Sequence, residues 1–548
     1  MWDVVSSEKK AKVSRSQLEV IWEEIARKSF PRMPNAERSS LDLTYLAAED
    51  QYDGSFRNYL LDHANGFHGM VFPVNTQTTS LKPPKEFKDS DVAVKFYNEA
   101  AEELEYQKRR SNYSDVAHRC ILERITFGTC GILIEEDKDD YSSEPDGLNF
   151  RDFNVNSYSI QQDHRGRVSE VYTVLEYSPE DAASEWGKDN LPEKIRVKLG
   201  KNSDKKDRYI VGFKRVKEWD DEQLKKDAEG KPFVMKVVLA KGKQDVVTQG
   251  FHEFPFAFSR YLTITGNPYG FSPSFFLLPE ARRLVRQQEI ADQMGLAALS
   301  GGPLVALNKL KGRINRGVNQ ITYVESMGDA PASMLTTNPS EYQVGLTRID
   351  NAKEDMKKAL NIDFFQLFSN LDDPNITATV GRYLKAEQAS NQGSPYTRFM
   401  NEFVEPVDMR AFKILYRQGK LPEVPDELVV GNDKKTGLKD FPMPEAEFSN
   451  QIVEALETSK VLALQEWMQG IGLPLFEADP KTAVSFNFDH IAKNTFRVQV
   501  GDEDAIRSEK EVADSLKEIQ EQQQQEQQLA QAREGAAVAK DASTAGVI

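Results

Sequence analysis

Apolar residues first recur at helical spacing in Leu18, Ile21, Trp22 and Ile25, and Pro31 and Pro34 end that run. Leu41 to Met70 continues in the same manner until Phe72-Pro73, and Pro83-Pro84 marks a further turn. The spacing of Val94, Tyr97, Ala101, Leu104, Tyr113, Val116, Ala117, Ile121 and Ile125 predicts one long helix from Asp91 to Thr126. Glycines between Gly128 and Gly131 punctuate the chain. Ile132-Leu133-Ile134 then reads as a buried strand running into Glu135-Glu136-Asp137.

Between about 158 and 261 the period changes to two. Val168 to Leu175, Tyr209 to Val216 and Phe233 to Leu239 predict strands, and Pro179 to Trp186 a short helix. Helical spacing returns at Pro273 to Leu299, with a seam through Leu277, Ala281, Leu284, Ala291, Met294 and Ala298. A helix of about 25 residues is roughly 37 Å long. Gly301-Gly302-Pro303 stops it, and a Gly-, Asn- and Pro-rich insert runs to about Val344. A second long helix is predicted from Leu346 to Phe368, with Ile349, Ala352, Met356, Ala359 and Leu360 on one face. The pattern implies an antiparallel helical pair carrying a small module at its far end. Leu371 to Asn375 is a break, followed by a helix over Thr377 to Asn391. Gly393-Ser394-Pro395 interrupts before the helix resumes to Tyr416. Leu421 to Pro444 reads as an irregular connector and Glu445 to Met468 as helix. The Gln- and Ala-rich tail after Asp502 reads as helix passing into disorder. The expected class is α+β, mainly helical, with a mostly antiparallel sheet.

Composition narrows the function. The chain has 548 residues, 70 Lys+Arg against 86 Asp+Glu, and a net charge of −16. That argues against a protein held on DNA by a broadly basic surface, and leaves open one that must let DNA pass without sticking. Two cysteines, Cys120 and Cys130, cannot build a disulfide framework. The start, Met1 to Val5, lacks an export signal, and no run approaches the roughly 18 apolar residues of a spanning helix. The expectation is a soluble intracellular protein with no membrane partner.

Chemistry is sparse. No Gly-x-x-x-x-Gly-Lys-Ser/Thr, Gly-x-Ser-x-Gly or His-Glu-x-x-His occurs, so the chain reads as no enzyme, with no catalytic residue, metal or cofactor. His118, Cys120 and Cys130 match no standard zinc spacing and read as a satisfied histidine and buried thiols. Glu135, Glu136, Asp137, Asp139 and Asp140 would hold a divalent cation in a nuclease; the plainer reading is a solvated acidic loop. Lys309, Lys311, Arg313 and Arg316 cluster inside the insert, as a solvated face or a contact for an acidic partner. Arg282, Arg283 and Arg286 share the first long helix with Glu280, Glu289 and Asp292, which pair across copies in a ring or along one helix.

The order of parts resembles the portal, or head-to-tail connecting, proteins of short-tailed bacteriophages. Asn65 to Pro73 is similar to that family's helix ending in Phe-Pro, and Phe127 to Glu135 to its Gly-plus-hydrophobic strand ending in an acid. Tyr158 to Asp163 with Gly166-Arg167-Val168 resembles its strand–turn–strand. Pro255, Arg260, Gly266, Tyr269-Gly270 and Pro273 resemble the run before its stem helix.

The resemblance implies a portal-like fold and the following parts: a wing over 1–270, stem helices over 271–300 and 346–369, and a small α/β clip over 301–345. It further implies a tunnel loop over 370–380, a kinked helix and connector over 381–440, and a crown with a tail over 441–548. It implies a homo-oligomeric ring of twelve at one capsid vertex of the virion, assembled in the bacterial cytoplasm. Double-stranded DNA would pass through its channel without sequence-specific contact. The clip residues Lys309, Lys311, Arg313 and Arg316 would dock the terminase large subunit and then a tail adaptor or head completion protein. Major capsid and scaffold proteins would be further partners. Asn370, Asp372, Asp373, Asn375 and Thr377 would line the channel, with Asn391 to Pro395 as the competing position. Arg282, Arg283, Arg286, Glu289 and Asp292 would meet neighbouring copies. The alternatives are another virion structural protein, such as a capsid or scaffold protein, or a metal-dependent nuclease.

Overall fold

The computed structural model describes residues 2–29, 52–73, 78–137, 147–217, 220–300, 339–363, 393–432 and 439–448, short breaks aside, with two short strands between 305 and 324 and scattered positions between 461 and 495. The chain divides into two units, Met1–Val453 and Glu454–Ile548.

In the first unit, α1 (Val4–Val13), α2 (Ser16–Lys28) and α3 (Ser55–Val71) precede a short strand, β1 (Thr79–Lys82). Where one helix is predicted over 91–126, the structure has two, α4 (Asp91–Arg110) and α5 (Tyr113–Phe127). The break lies at residues that compete for backbone hydrogen bonds. Ser111 Oγ donates to Lys108 O at 2.7 Å, while the Asn112 side chain donates to Phe150 O at 2.8 Å and accepts from Phe150 N at 3.0 Å.

Strand β2 (Thr129–Glu136) lies between β3 (Leu148–Phe153) and β9 (Phe256–Arg260), both antiparallel to it. Its first six residues are buried, so Ile132-Leu133-Ile134 is apolar without alternation. Strands β4 (Tyr158–Gln162), β5 (Val168–Tyr177), β6 (Asp207–Arg215), β7 (Phe233–Leu239) and β8 (Gln244–Phe251) form a five-stranded antiparallel meander in sequence order. Helix α6 (Pro179–Trp186) has the predicted bounds and a Ser178–Asp181 capping box; α7 (Glu193–Arg196) and α8 (Glu222–Asp227) are short. Because side chains alternate across a strand, the meander has two faces. One carries Tyr158, Ile160, Val171, Tyr209, Val211, Phe213, Val237 and Leu239 into the main core. The other carries Tyr172, Ile210 and Val238 against Val4, Val5 and Ala11 of α1. A Cβ on Gly212 would stand 2.9 Å from Val4, so the glycine lets α1 lie close.

After the short hairpin β10 (Leu262–Thr263) and β11 (Gly270–Phe271), α9 runs from Pro273 to Ser300. The strands β12 (Val305–Ala306) and β13 (Tyr323–Val324) pair in parallel, and α10 (Pro339–Ala359) packs against α9. Leu277, Ala281, Leu284 and Ala291 are buried on α9, and Ile349, Ala352 and Met356 on α10. The second helix is thus shifted from the predicted Leu346–Phe368. Its regular part ends at Ala359, and Asn361 takes a left-handed φ of 51°.

Gly393-Ser394-Pro395 is itself helical where a break is predicted, and the helix expected over Thr377 to Asn391 lies outside the described residues. The observed helix is α11 (Gly393–Phe399). A π turn over Met400–Val404 joins α11 to α12 (Glu405–Arg417). The connector holds a two-residue pairing of β14 (Gly431–Asn432) with β15 (Lys439–Asp440). Residues 445–448, predicted as helix, form β16 (Glu445–Phe448), antiparallel to β1 with Thr79 opposite Phe448. The alternation Glu-Ala-Glu-Phe is a strand pattern that a helical window averages away.

The second unit is described at few positions; a π turn spans Met468–Gly472, and the Trp467 and Phe486 rings lie 5.3 Å apart. Among the described residues, no helix is long and apolar enough to cross a membrane.

Candidate functional site: the neck of the long helix

Helix α9 leaves the body at the C-terminal end of α5. Gly128 closes α5 at a φ of 91°, a conformation only glycine adopts cheaply. A Cβ there would lie 2.3 Å from Gly270 O, and one on Gly270 would lie 2.3 Å from Gly128 O. The two backbones therefore cross in contact. The last four carbonyls of α5 have no partners inside the helix and must find them elsewhere. Arg124 O accepts from Gly128 N at 2.9 Å and Ile125 O from Ser274 Oγ at 3.3 Å. Thr126 O accepts from Ser272 Oγ at 2.8 Å and Phe127 O from Trp22 Nε1 at 3.0 Å. Two of the four caps thus come from the segment that starts α9.

Of the resembling run before α9, Arg260, Tyr269, Gly270 and Pro273 meet here, while Pro255 lies at the far end of β9. Pro255 O accepts from Ile134 N at 2.9 Å. The Arg260 guanidinium donates to Glu402 Oε1 at 2.7 Å from Nη2, and its backbone N to Oε2 at 2.9 Å; Glu402 sits in the π turn. Gly266, at a φ of 87°, turns the hairpin. Tyr269 is buried, with its ring edge-on to Trp22 at 5.4 Å and its hydroxyl accepting from Ile160 N at 3.2 Å; burial pushes its pKa up to about 12. Gly270 N donates to Thr129 Oγ1 at 2.8 Å, and Pro273 opens α9.

Beside this crossing Arg124 is fully buried. Its Nη2 donates to Pro395 O at 2.6 Å, and the guanidinium lies 5.0 Å from the Tyr261 ring, 5.2 Å from Phe399 and 5.7 Å from Phe67. Burial lowers its pKa to about 10. Arg124, Glu402 and Trp22 have structural roles that the sequence reading did not assign. Trp22 left its signal in the apolar seam of α2, and Arg124 as a cation three residues after Ile121 on the apolar side of a helix.

Farther along α9 the candidate charges divide. Arg282 pairs with Glu24 of α2, which holds the Glu24 carboxyl below its usual range. Arg283 and Arg286 are exposed. Glu289 accepts from Gln293 at 3.3 Å and Asp292 from Gln288 at 3.2 Å. The candidates Lys309, Lys311, Arg313, Arg316, Asn370, Asp372, Asp373, Asn375 and Thr377 lie outside the described residues.

The metal-like groupings disperse. His118 Nε2 meets Asn65 Oδ1 at 2.8 Å, while Cys120 and Cys130 are buried free thiols. Glu135 pairs with Arg151 at 3.2 Å and Glu136 with Arg417 at 3.9 Å, so these acids serve as ion-pair partners. Asp139 and Asp140 lie outside the described residues. Among the described residues, no three His, Cys, Asp or Glu side chains are grouped to hold a metal.

The neck motif falls within a match to the family described as bacteriophage head to tail connecting protein, which spans residues 4–528. The chain belongs to that family. Two curated relatives are similar at low identity. The portal protein of Salmonella phage epsilon15 is 23% identical over 311 residues, covering 55% of this chain and 54% of the relative. The probable portal protein of Bordetella phage BPP-1 is 22% identical over 327 residues, covering 58% and 57%. The matched stretch thus spans just over half the length of these relatives. In this head-to-tail connecting protein, the motif residues weld the long helix to the body.

Proposed function

We propose that this head-to-tail connecting protein is the portal of its phage: a ring of twelve identical chains at one capsid vertex of the virion, through which genomic DNA enters and leaves. The observation that carries the reading is the family match over residues 4–528, joined by relatives named as portal proteins. In this reading the chain is a structural protein, and the force for packaging comes from a separate terminase. B-DNA carries about one negative charge per 1.7 Å of axis, so a broadly basic channel would hold it. A chain of net charge −16 repeated around a ring favours sliding instead. Arg283, Arg286, Glu289 and Asp292 on α9 would face neighbouring copies, while Arg282 is already engaged by Glu24 within its own chain.

The test is direct. Class averages of the purified chain in negative stain should show closed rings of about a dozen copies with a central hole. A monomer at every protein and salt concentration tried would sink the reading.

Within it, Lys309, Lys311, Arg313 and Arg316 form the docking face for terminase and tail adaptor. Asn370, Asp372, Asp373, Asn375 and Thr377 face the DNA. Reversing the four basic residues to Glu should weaken partner docking and leave rings intact. Deleting residues 371–375 should also leave rings intact and impair DNA packaging or retention. Normal partner binding at moderate salt removes the first assignment, and normal packaging of full-length genomes removes the second.

A further inference from the structure

Among the described residues, one group of apolar side chains at the neck is exposed. Leu262 of β10 stands directly opposite Phe271 of β11, which places both side chains on the same face of the hairpin. Ile264 follows just after the strand and opens the turn, its carbonyl accepting from Asn267 N at 3.1 Å. The Phe271 ring contacts Phe275 in the first turn of α9 at 5.2 Å, and Phe276 follows. Leu262 is 43% exposed, Ile264 49% and Phe276 65%. These three exposed residues flank the half-buried Phe271–Phe275 ring pair, where the hairpin meets the long helix. Exposed apolar clusters of this kind mark interaction surfaces.

The patch continues down α9. Phe276, Arg283 and Ile290 are spaced seven apart, which keeps them near one line on a helix of about 3.6 residues per turn. All three are exposed, Ile290 at 47%. Arg283 and Arg286 thus sit beside an apolar stripe. At about 100° per residue, Glu289 and Asp292 fall on the other flank, beyond Arg282 and its partner Glu24. One helix therefore offers a basic, apolar flank and an acidic flank. A surface that complements a different surface of the same molecule makes head-to-tail contacts, which close into a ring when the rotation between copies divides a full turn.

We propose that the neck patch, Leu262, Ile264 and Phe276, is a docking surface for a second copy of this chain, and that it seats the ring neighbour at the root of the long helix. The proposal rests on the portal reading and adds the place of contact. The hairpin fits the role because it is fixed from below: Tyr269 is buried, Gly270 is locked against Gly128, and Arg260 is clamped by Glu402. A rigid hairpin presents its apolar residues with little ordering cost on association.

The experiment uses the full chain and counts subunits by mass photometry. Ile264→Asp and Phe276→Asp, singly and together, place charge on the patch. Val430→Asp, on a residue 73% exposed in the connector, is the control. The expected result is rings from the wild type and the control, and at least a tenfold smaller ring fraction from the double variant. Its melting curve should match that of the wild type. Because the altered side chains are exposed, the fold should tolerate them; Phe276→Ser, a milder change, should show the same trend if the aspartates reduce yield. Rings from the double variant in wild-type proportion overturn the proposal and leave the portal reading standing. Loss of rings in the Val430 control as well also overturns it, because the patch is then not special. A wild-type chain that never assembles overturns the portal reading itself, and the proposal with it.

Discussion

The body around the neck and the outward flank of α9 treat charge in opposite ways. In the body, several charged groups are buried and engaged. Lys108 and Asp408 are 2% and 0% exposed and meet at 2.9 Å, with Thr79 Oγ1 donating to the second carboxylate oxygen at 2.5 Å. Arg410 donates to Ile134 O at 2.9 Å, and Arg417 to Glu253 at 3.0 Å. Arg124 donates to Pro395 O and lies among three aromatic rings. On α9 the exposed residues Arg283, Arg286 and Phe276 stand on a helix whose other side is buried against α10, α5 and α2. The contrast separates two kinds of candidate residue. Side chains that look chemical but are buried hold the fold together. Side chains left in the open are available for assembly. Changes in the body should therefore cost folding, and changes on the flank should cost assembly at unchanged stability.

The largest effect is expected at the backbone crossing. Gly128→Ala places a methyl group 2.3 Å from a carbonyl oxygen, on a residue that must also keep a left-handed φ. Overpacking alone costs about 1–3 kcal/mol, and backbone strain adds to it. The expected outcome is a large loss of soluble chain and a denaturation midpoint shifted well below that of the wild type. Wild-type stability would mean that the two segments can part, and the neck would no longer be a weld.

The buried ion pair sharpens the contrast. Asp408→Ala leaves Lys108 charged in the core, and breaking such a pair costs about 3–5 kcal/mol. Replacing both partners with apolar residues of similar volume, Lys108→Met with Asp408→Leu, should recover most of the loss, because neither member is then left unpaired. Equal destabilisation of the single and double variants in urea would show that Thr79 and Glu105, rather than the pair, dominate the site.

Much of this architecture was readable from pattern. The strand Phe233–Leu239 and the helix Pro179–Trp186 have the predicted bounds, because each combines one period with a clear start and stop. The errors fall where a local competitor acts. Ser111 and Asn112 cut a long amphipathic run by taking backbone hydrogen bonds for themselves. Glu445–Phe448 becomes a strand through pairing with β1, more than 360 residues earlier in the chain, which no short window contains. The site was read less well. Tyr269, Gly270 and Arg260 stood out by resemblance, but their partners Trp22, Gly128 and Glu402 come from distant segments joined only by folding. Arg282 read as a charge between copies, yet Glu24 of its own chain meets it. Surface charge patterns do not say which partner is nearest.

His63 stands where α3 of the body meets the end of α10, and the smallest predicted effect belongs to it. It lies on α3, is buried, and its Nδ1 meets Leu360 O at 2.6 Å, at the end of α10. Burial lowers its pKa from 6.5 to about 4; the bond to Leu360 O opposes this shift and the nearby Arg124 charge adds to it. The folded chain therefore holds the imidazole neutral over a range in which the unfolded chain protonates it. The stability that depends on neutral His63 is complete above about pH 6.5 and is lost progressively as the pH falls towards about 4. Glu123 has the opposite sign, since burial raises its pKa, so the comparison must be made as a difference between variants. His63→Leu should cost about 1–3 kcal/mol near neutral pH, through the carbonyl left without its donor. That cost should shrink steadily between about pH 7 and about pH 4.5, as the wild type alone loses stability through the histidine. Urea midpoints of the two proteins across this range measure it. A gap of constant size would mean that His63 titrates normally in the folded chain, and that the join between α3 and the end of α10 is open to water, like the flank of α9 and unlike the rest of the body.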